Sequence, residues 1–311
     1  MTTAQIAAER SAYSTRAAIA SVTLALVLLL AKTWAAYATH STAMLGSLAD
    51  TALDVIASIA TLIGVRIAAM PADHDHRFGH GKAEALVALA QVVLISVSAV
   101  GIAWRAVDRL LHHAATEAMG VGIAVSVFAI LATFALLWYQ QRVIDRTGSI
   151  AIKTDNVHYK SDLMLNGSVI VALLLDQALH ISGADAIFGL GIAVWLLWGG
   201  FRASREAVNQ LMDREWGDEE RRCFLAATAE YPELAGLHDL RTRSSGNLRF
   251  VQFHVWMPAD WTVQRAHDQL DRVEEALQQR FPGTEILIHV DPEGQTDRET
   301  LLPPAITERA S

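Results

Sequence analysis

The chain has 311 residues, of which 52% are hydrophobic and 19% charged. Its mean hydropathy is +0.27, above what a water-soluble chain of this length ordinarily shows. The net charge of −8 lacks the basic footprint of a nucleic-acid partner, and the single cysteine, Cys223, excludes an intramolecular disulfide framework.

Long apolar runs fill residues 15–211, and no cleavable signal is expected because the stretch before them is polar and the first run is long enough to span. A spanning helix needs about 20 mostly apolar residues. Six segments meet that need, at about 15–38, 42–69, 84–111, 118–140, 152–179 and 185–209. Arg10 and Arg16, then Arg77 and Lys82, then Arg142, Arg146 and Lys153, then Arg202, Arg205 and Arg214 all fall on one side of these spans. The opposite loops hold almost no Lys or Arg, with Arg105 and Arg109 as the exception. The positive-inside rule then puts both termini of this multi-pass chain in the cytoplasm.

Beyond Asp213 the pattern becomes that of a soluble domain. Helices are predicted at 218–230 and 262–280, and strands at 237–243, 248–257 and 285–290, with a turn at 244–247. The order is αββαβ. The predicted organisation is a transmembrane domain over 1–212, a cytoplasmic domain over 213–292, and a disordered polar tail over 293–311 that contains Pro303 and Pro304.

The second predicted span carries Asp50 and Asp54, and the fifth carries His158 and Asp162. Each pair is spaced i, i+4, so its members share one helix face one turn apart. An unpaired carboxylate near mid-membrane costs about 2.5 kcal/mol or more, and two together also repel. A compensating cation resolves both problems. Three carboxylates and one imidazole suit a tetrahedral divalent ion such as Zn2+, and the imidazole turns the choice away from Mg2+. Ligands must be deprotonated to bind metal, and imidazole titrates near physiological pH. Exchange of metal for protons follows as a hypothesis.

With these residues the chain resembles the cation diffusion facilitator family, in its bacterial zinc/iron-efflux subgroup. The resemblance runs from about residue 15 to 292. It rests on Asp50-x3-Asp54, on Pro71-Ala72-Asp73-His74-Asp75-His76-Arg77-Phe78-Gly79-His80-Gly81-Lys82-Ala83-Glu84, on His158-Tyr159-Lys160-Ser161-Asp162, on His238-Asp239-Leu240-Arg241-Thr242-Arg243, and on His289-Val290-Asp291-Pro292. It implies a six-transmembrane-helix bundle followed by a cytoplasmic α/β ferredoxin-like domain, working as a homodimer by alternating access. It implies efflux of a divalent transition metal, Zn2+ first, with Cd2+, Fe2+ and Mn2+ as alternatives.

The same resemblance assigns Asp50, Asp54, His158 and Asp162 to a transport site. It assigns Asp73, His76 and His80 to a second metal site in the loop after the second span, where two imidazoles and a carboxylate fall within eight residues. It pairs Lys82 with Asp213 as a charge interlock near the dimer hinge. In the cytoplasmic domain it implies a binuclear regulatory site, with His238, His254 and Asp291 around one ion. His267 and His289 surround the other, with Asp291 bridging. The family pattern has Gln between the matching His and Asp where this chain has Val290, which removes a polar contact there.

Two other classes fit the sequence less well. A membrane metalloprotease would be expected to carry His-Glu-x-x-His, which this sequence lacks, so no enzymatic activity is expected. A non-transporting metal sensor or scaffold of the same fold would be expected to lack an intramembrane ligand, and all four are present. Trp138, Trp195 and Trp198 read as packing and interface anchors, and Cys223 as a packed residue.

Overall fold

The computed structural model describes residues 3–39, 42–112, 120–179 and 184–294. The predicted tail, 293–311, lies outside them from 295 onward. The chain divides into two compact units, Arg10–Asn209 and Gln210–Ser311 with Met1–Glu9.

The first unit is built from six long helices: α1 (Thr3–Thr39), α2 (Thr42–Ala68), α3 (Ala83–His112), α4 (Gly120–Thr147), α5 (Ile150–Leu179) and α6 (Ala184–Leu211). Their packing inverts that of a soluble bundle. On α3, Ala85, Ala88, Ile95, Ala99, Ile102 and Ala106 are buried at three- and four-residue steps. On the opposite face Leu86, Val93, Val97, Val100, Trp104 and Leu111 are exposed, also at helical spacing. Small residues let helices approach closely, and bulky apolar residues turned outward need a lipid solvent.

Five of the six helices (all but α5) contain segments long and apolar enough to cross a membrane. α5 has the length, 30 residues or about 45 Å, but carries Lys153, Asp155, Lys160 and Asp162. It packs against α2, α3 and α4, which bury Asp155, while Lys153 stays half-exposed and pairs with Glu206. Intramembrane charge is tolerated in that setting. The helix ends carry the anchors expected at an interface: the Arg142 guanidinium lies 3.5 Å from the ring centre of Trp138, and that of Arg202 lies 5.2 Å from Trp198. Glu84, in the first turn of α3, is buried and accepts a 2.6 Å hydrogen bond from Ser149 Oγ.

The second unit carries α7 (Asp218–Thr228), a 3-10 turn (Pro232–Leu234), β1 (His238–Ser245), β2 (Leu248–Met257), α8 (Val263–Arg280) and β3 (Thr284–Pro292). The predicted order αββαβ is the order found. β1 and β2 form an antiparallel hairpin turned at Gly246, whose φ of 57° suits a residue without Cβ. β3 pairs parallel to β2, giving the sheet order β1-β2-β3. Thr262 caps α8 by accepting from the Arg265 amide.

Alternation along β2 sends Val251, Phe253, Val255 and Met257 into a core with Phe224, Leu270, Val273, Leu277 and Ile286. Both helices contribute to that core, so one face of the sheet is covered and the face bearing His254 is not. Val290 packs with the core, on the opposite side of β3 from His289 and Asp291 by the same alternation.

Candidate metal sites

Helical spacing brings Asp54 on α2 and His158 and Asp162 on α5 to one place. Asp54 Oδ1 is 2.8 Å from His158 Nε2, and Asp162 Oδ2 is 3.9 Å from the same nitrogen. Ligand atoms of the three lie within 4.8 Å of one another. They line a cavity of about 130 Å3 that Lys32, Asp50 and Arg105 also line. Asp50 does not join the trio. Its carboxylate takes two hydrogen bonds from Arg105, at 3.0 and 3.3 Å.

One turn before His158, Asp155 is fully buried. It accepts hydrogen bonds from Ser21 Oγ and Gln140 Nε2, each at 2.7 Å, and from Gln91 Nε2 at 3.4 Å. Gln91 also donates to Thr61 Oγ1, and Tyr159 is bonded to Ser58 Oγ and to the Ser21 carbonyl. This network ties α5 to α1, α2, α3 and α4 beside the trio. Sequence reasoning passed over Asp155, although a carboxylate besides Asp162 in that helix and the polar Ser21, Gln91 and Gln140 in apolar ones were its signal.

In the loop between α2 and α3 the chain folds around Asp73. The carboxylate accepts the backbone N–H groups of His76, at 2.6 Å, and of Asp75, at 3.0 Å. His76 Nδ1 lies 3.2 Å from Asp73 Oδ1, and His80 Nε2 lies 3.3 Å from Asp73 Oδ2. His80 Nδ1 donates to the Pro71 carbonyl, which leaves Nε2 as the ligand atom. Gly79, at φ 77°, makes the tight path. The backbone N–H of His76 is the main cause that holds the Asp73 carboxyl below its ordinary range, against some desolvation. His74 and Asp75 point outward, with side chains 99% and 83% exposed.

The cytoplasmic site follows from strand register. His238 on β1 stands opposite His254 on β2, which stands opposite His289 on β3. A bulge between His238 and Arg241, with Asp239 at φ 51°, brings His238 into that row. Asp291 Oδ2 is 3.1 Å from His238 Nε2 and 2.9 Å from His254 Nδ1, and Asp291 Oδ1 is 3.5 Å from His289 Nε2. His238 Nδ1 donates to the Gly236 carbonyl, which fixes the ring. Burial pushes the Asp291 carboxyl up, but the hydrogen bond from His254 and the charges of His254, His289 and His238 outweigh it and hold the pKa below the ordinary range. His267 stands apart: it lies on α8 and pairs with Asp271 at 3.5 Å.

Both of these clusters present two imidazoles and a carboxylate with ligand atoms within 4.8 Å, a donor set that fits Zn2+. Asp213 lies 3.6 Å from Arg243 Nη1.

Long helices with lipid-facing apolar stripes, enclosing a carboxylate–imidazole cluster, define a membrane protein that handles cations. Residues 18–212 match the family described as "Cation efflux transmembrane domain", and residues 217–293 match "Cation efflux protein, cytoplasmic domain". The chain belongs to the cation efflux family. Relatives include the cation-efflux pump FieF of Klebsiella pneumoniae subsp. pneumoniae, 42% identical over 278 residues, covering 89% of this chain and 92% of the relative. The FieF pump of Salmonella newport is 42% identical over 285 residues, covering 91% and 94%. A solved structure of CzrB, a candidate zinc transporter, in its Zn form is 38% identical. It covers 28% of this chain and 99% of that one at a TM-score of 0.25.

Proposed function

We propose that this cation efflux protein exports a divalent transition-metal ion, Zn2+ first and Cd2+, Fe2+ or Mn2+ as alternatives, from the cytoplasm in exchange for protons. The observation that carries the reading is the convergence of Asp54, His158 and Asp162 from two membrane helices on one cavity. Two carboxylates and a neutral imidazole offer a charge of −2 to a divalent ion, and the imidazole favours Zn2+ over harder ions. Asp50, on the same face of α2 and lining the same cavity, completes the four-residue transport site. Metal and protons compete for the same nitrogen and oxygen atoms, so a proton gradient drives release on the acidic side.

The protein works as a homodimer in a bacterial inner membrane, with both termini in the cytoplasm and the site alternately open to each side. The loop trio Asp73, His76 and His80 and the cytoplasmic cluster of His238, His254, His289 and Asp291 are resident metal sites. An ion there would clamp the loop and the open sheet face and stabilise the assembly when cytoplasmic metal is high.

The test is metal uptake into proteoliposomes carrying a pH gradient, with Zn2+, Cd2+, Fe2+ and Mn2+ supplied singly, for the wild type and Asp54→Ala. Gradient-dependent Zn2+ flux that Asp54→Ala abolishes supports the proposal. Metal binding without flux of any ion overturns it in favour of a sensor.

A further inference from the structure

The geometry points to Arg105 as a built-in competitor of the transported ion: a tethered cation that holds Asp50 and must release it before that carboxylate can enter the ion's coordination sphere. The inference rests on the transport site proposed above.

Asp50 and Asp54 occupy the same face of α2, one turn apart, yet they have different partners. Asp54 meets the imidazole of His158. Asp50 meets the guanidinium of Arg105, 55 residues away on α3, through both terminal nitrogens. This two-pronged contact matches the fork of an arginine to the two oxygens of a carboxylate. Arg105 and Asp50 line the same cavity as Asp54, His158 and Asp162, so the contact lies at the site. The other cation on the wall, Lys32, donates to Thr51 Oγ1 at 2.7 Å.

The chemistry of arginine gives this pair its meaning. A guanidinium keeps its proton at every physiological pH. Its charge can leave Asp50 only by movement of the side chain, whereas His158 can be neutralised by losing a proton. The trio Asp54, His158 and Asp162 already supplies a charge of −2 to a divalent ion. A third carboxylate in the same cavity would be surplus, and Arg105 balances it. An incoming ion therefore meets three ligands at once and gains the fourth only by exchanging places with Arg105.

The experiment measures Zn2+ isotherms on the full-length protein in detergent. The transport-site component is the one that Asp54→Ala removes. Arg105→Gln is expected to tighten that component roughly fivefold, the equivalent of a half-exposed ion pair. Asp50→Asn is expected to cancel the gain, and to cost more affinity in the Arg105→Gln background than in the wild type. Arg105→Lys keeps a cation but loses the fork, so it should give a smaller gain. It decides the matter if Arg105→Gln does not yield folded protein.

Unchanged or weaker binding in Arg105→Gln, or in Arg105→Lys where that variant must serve, overturns the inference, as does a gain that survives Asp50→Asn. If Asp54→Ala removes no component, the transport site itself is misplaced and the inference falls with it.

Discussion

Asp54 and His158 meet across the contact between α2 and α5, with Oδ1 2.8 Å from Nε2. Asp162, one turn along α5, approaches the same nitrogen at 3.9 Å. An ion drawn between these three groups would take ligands from two helices at once, so the site senses how α2 and α5 are set against each other. Loss of one ligand should then be felt severely. Asp54→Ala or His158→Ala is expected to weaken Zn2+ at the site by about 100-fold or more, since outer contacts alone cost about 10–100-fold. His158→Asp should instead move preference from Zn2+ toward Mn2+, because an all-oxygen set suits a harder ion. Competitive uptake of the two metals into proteoliposomes checks both. Unaltered Zn2+ preference in His158→Asp would remove the imidazole from the ligand set.

The loop site has a pH dependence whose sign is fixed by its ligands. Asp73 is held below its ordinary range, with the backbone N–H of His76 the main cause, so it stays ionised from mildly acidic to neutral pH. His76 and His80 must be neutral to bind metal, so protons compete with the ion for their nitrogens. Affinity therefore falls as pH drops. The slope approaches about 100-fold per pH unit when two protons compete, and about tenfold in His80→Ala. Zn2+ titrations between neutral pH and the mid-acid range, on protein carrying Asp54→Ala and Asp291→Asn, give the slope. A fall confined to the carboxylate range would count against both imidazoles.

Much of this is legible in the sequence alone. Charge is so costly in lipid that Asp50, Asp54, His158 and Asp162 stood out from their apolar surroundings, and helical periodicity put each pair on one face. The αββαβ order was readable from strand alternation and turn residues. Partners across helices were not readable. Arg105 appeared only as an exception to the positive-inside pattern, and no periodicity links it to Asp50, which lies 55 residues away on another helix. Asp155 escaped because it belongs to no i, i+4 pair with a second ligand. In the cytoplasmic domain the row of His238, His254 and His289 depends on a bulge in β1, which shifts register by an amount the sequence does not declare. His267 matched the family pattern, yet α8 packs its Leu270, Val273 and Leu277 on the covered face of the sheet, away from that row.

The central role of Asp291 leads to a third expectation. Its two oxygens lie within 3.5 Å of three histidines, whereas His267 contacts only Asp271 among the pairings described for it. Asp291→Asn should release the ion held at the sheet, and His267→Ala should leave that ion in place. Zinc content per chain, measured after gel filtration of the full-length variants, separates the two. Equal losses in both would draw His267 into the same site.

The last expectation concerns the buried carboxylate beside the transport site. Asp155 is the acceptor on which Ser21, Gln140 and Gln91 converge from three other helices. Asp155→Ala removes the acceptor and leaves those donors buried with fewer partners. Each orphaned group costs about 1–3 kcal/mol, and breaking a buried network reaches about 3–5 kcal/mol. The thermal midpoint of the detergent-solubilised protein should fall by several degrees. Asp155→Asn keeps one acceptor oxygen but turns an amide toward Gln140, so it should recover only part of the loss. Because the network fixes α5 one turn from His158, Zn2+ affinity at the transport site should fall in step with the midpoint across these variants. A normal midpoint in Asp155→Ala would mean that the helices are held in register by the apolar contacts alone.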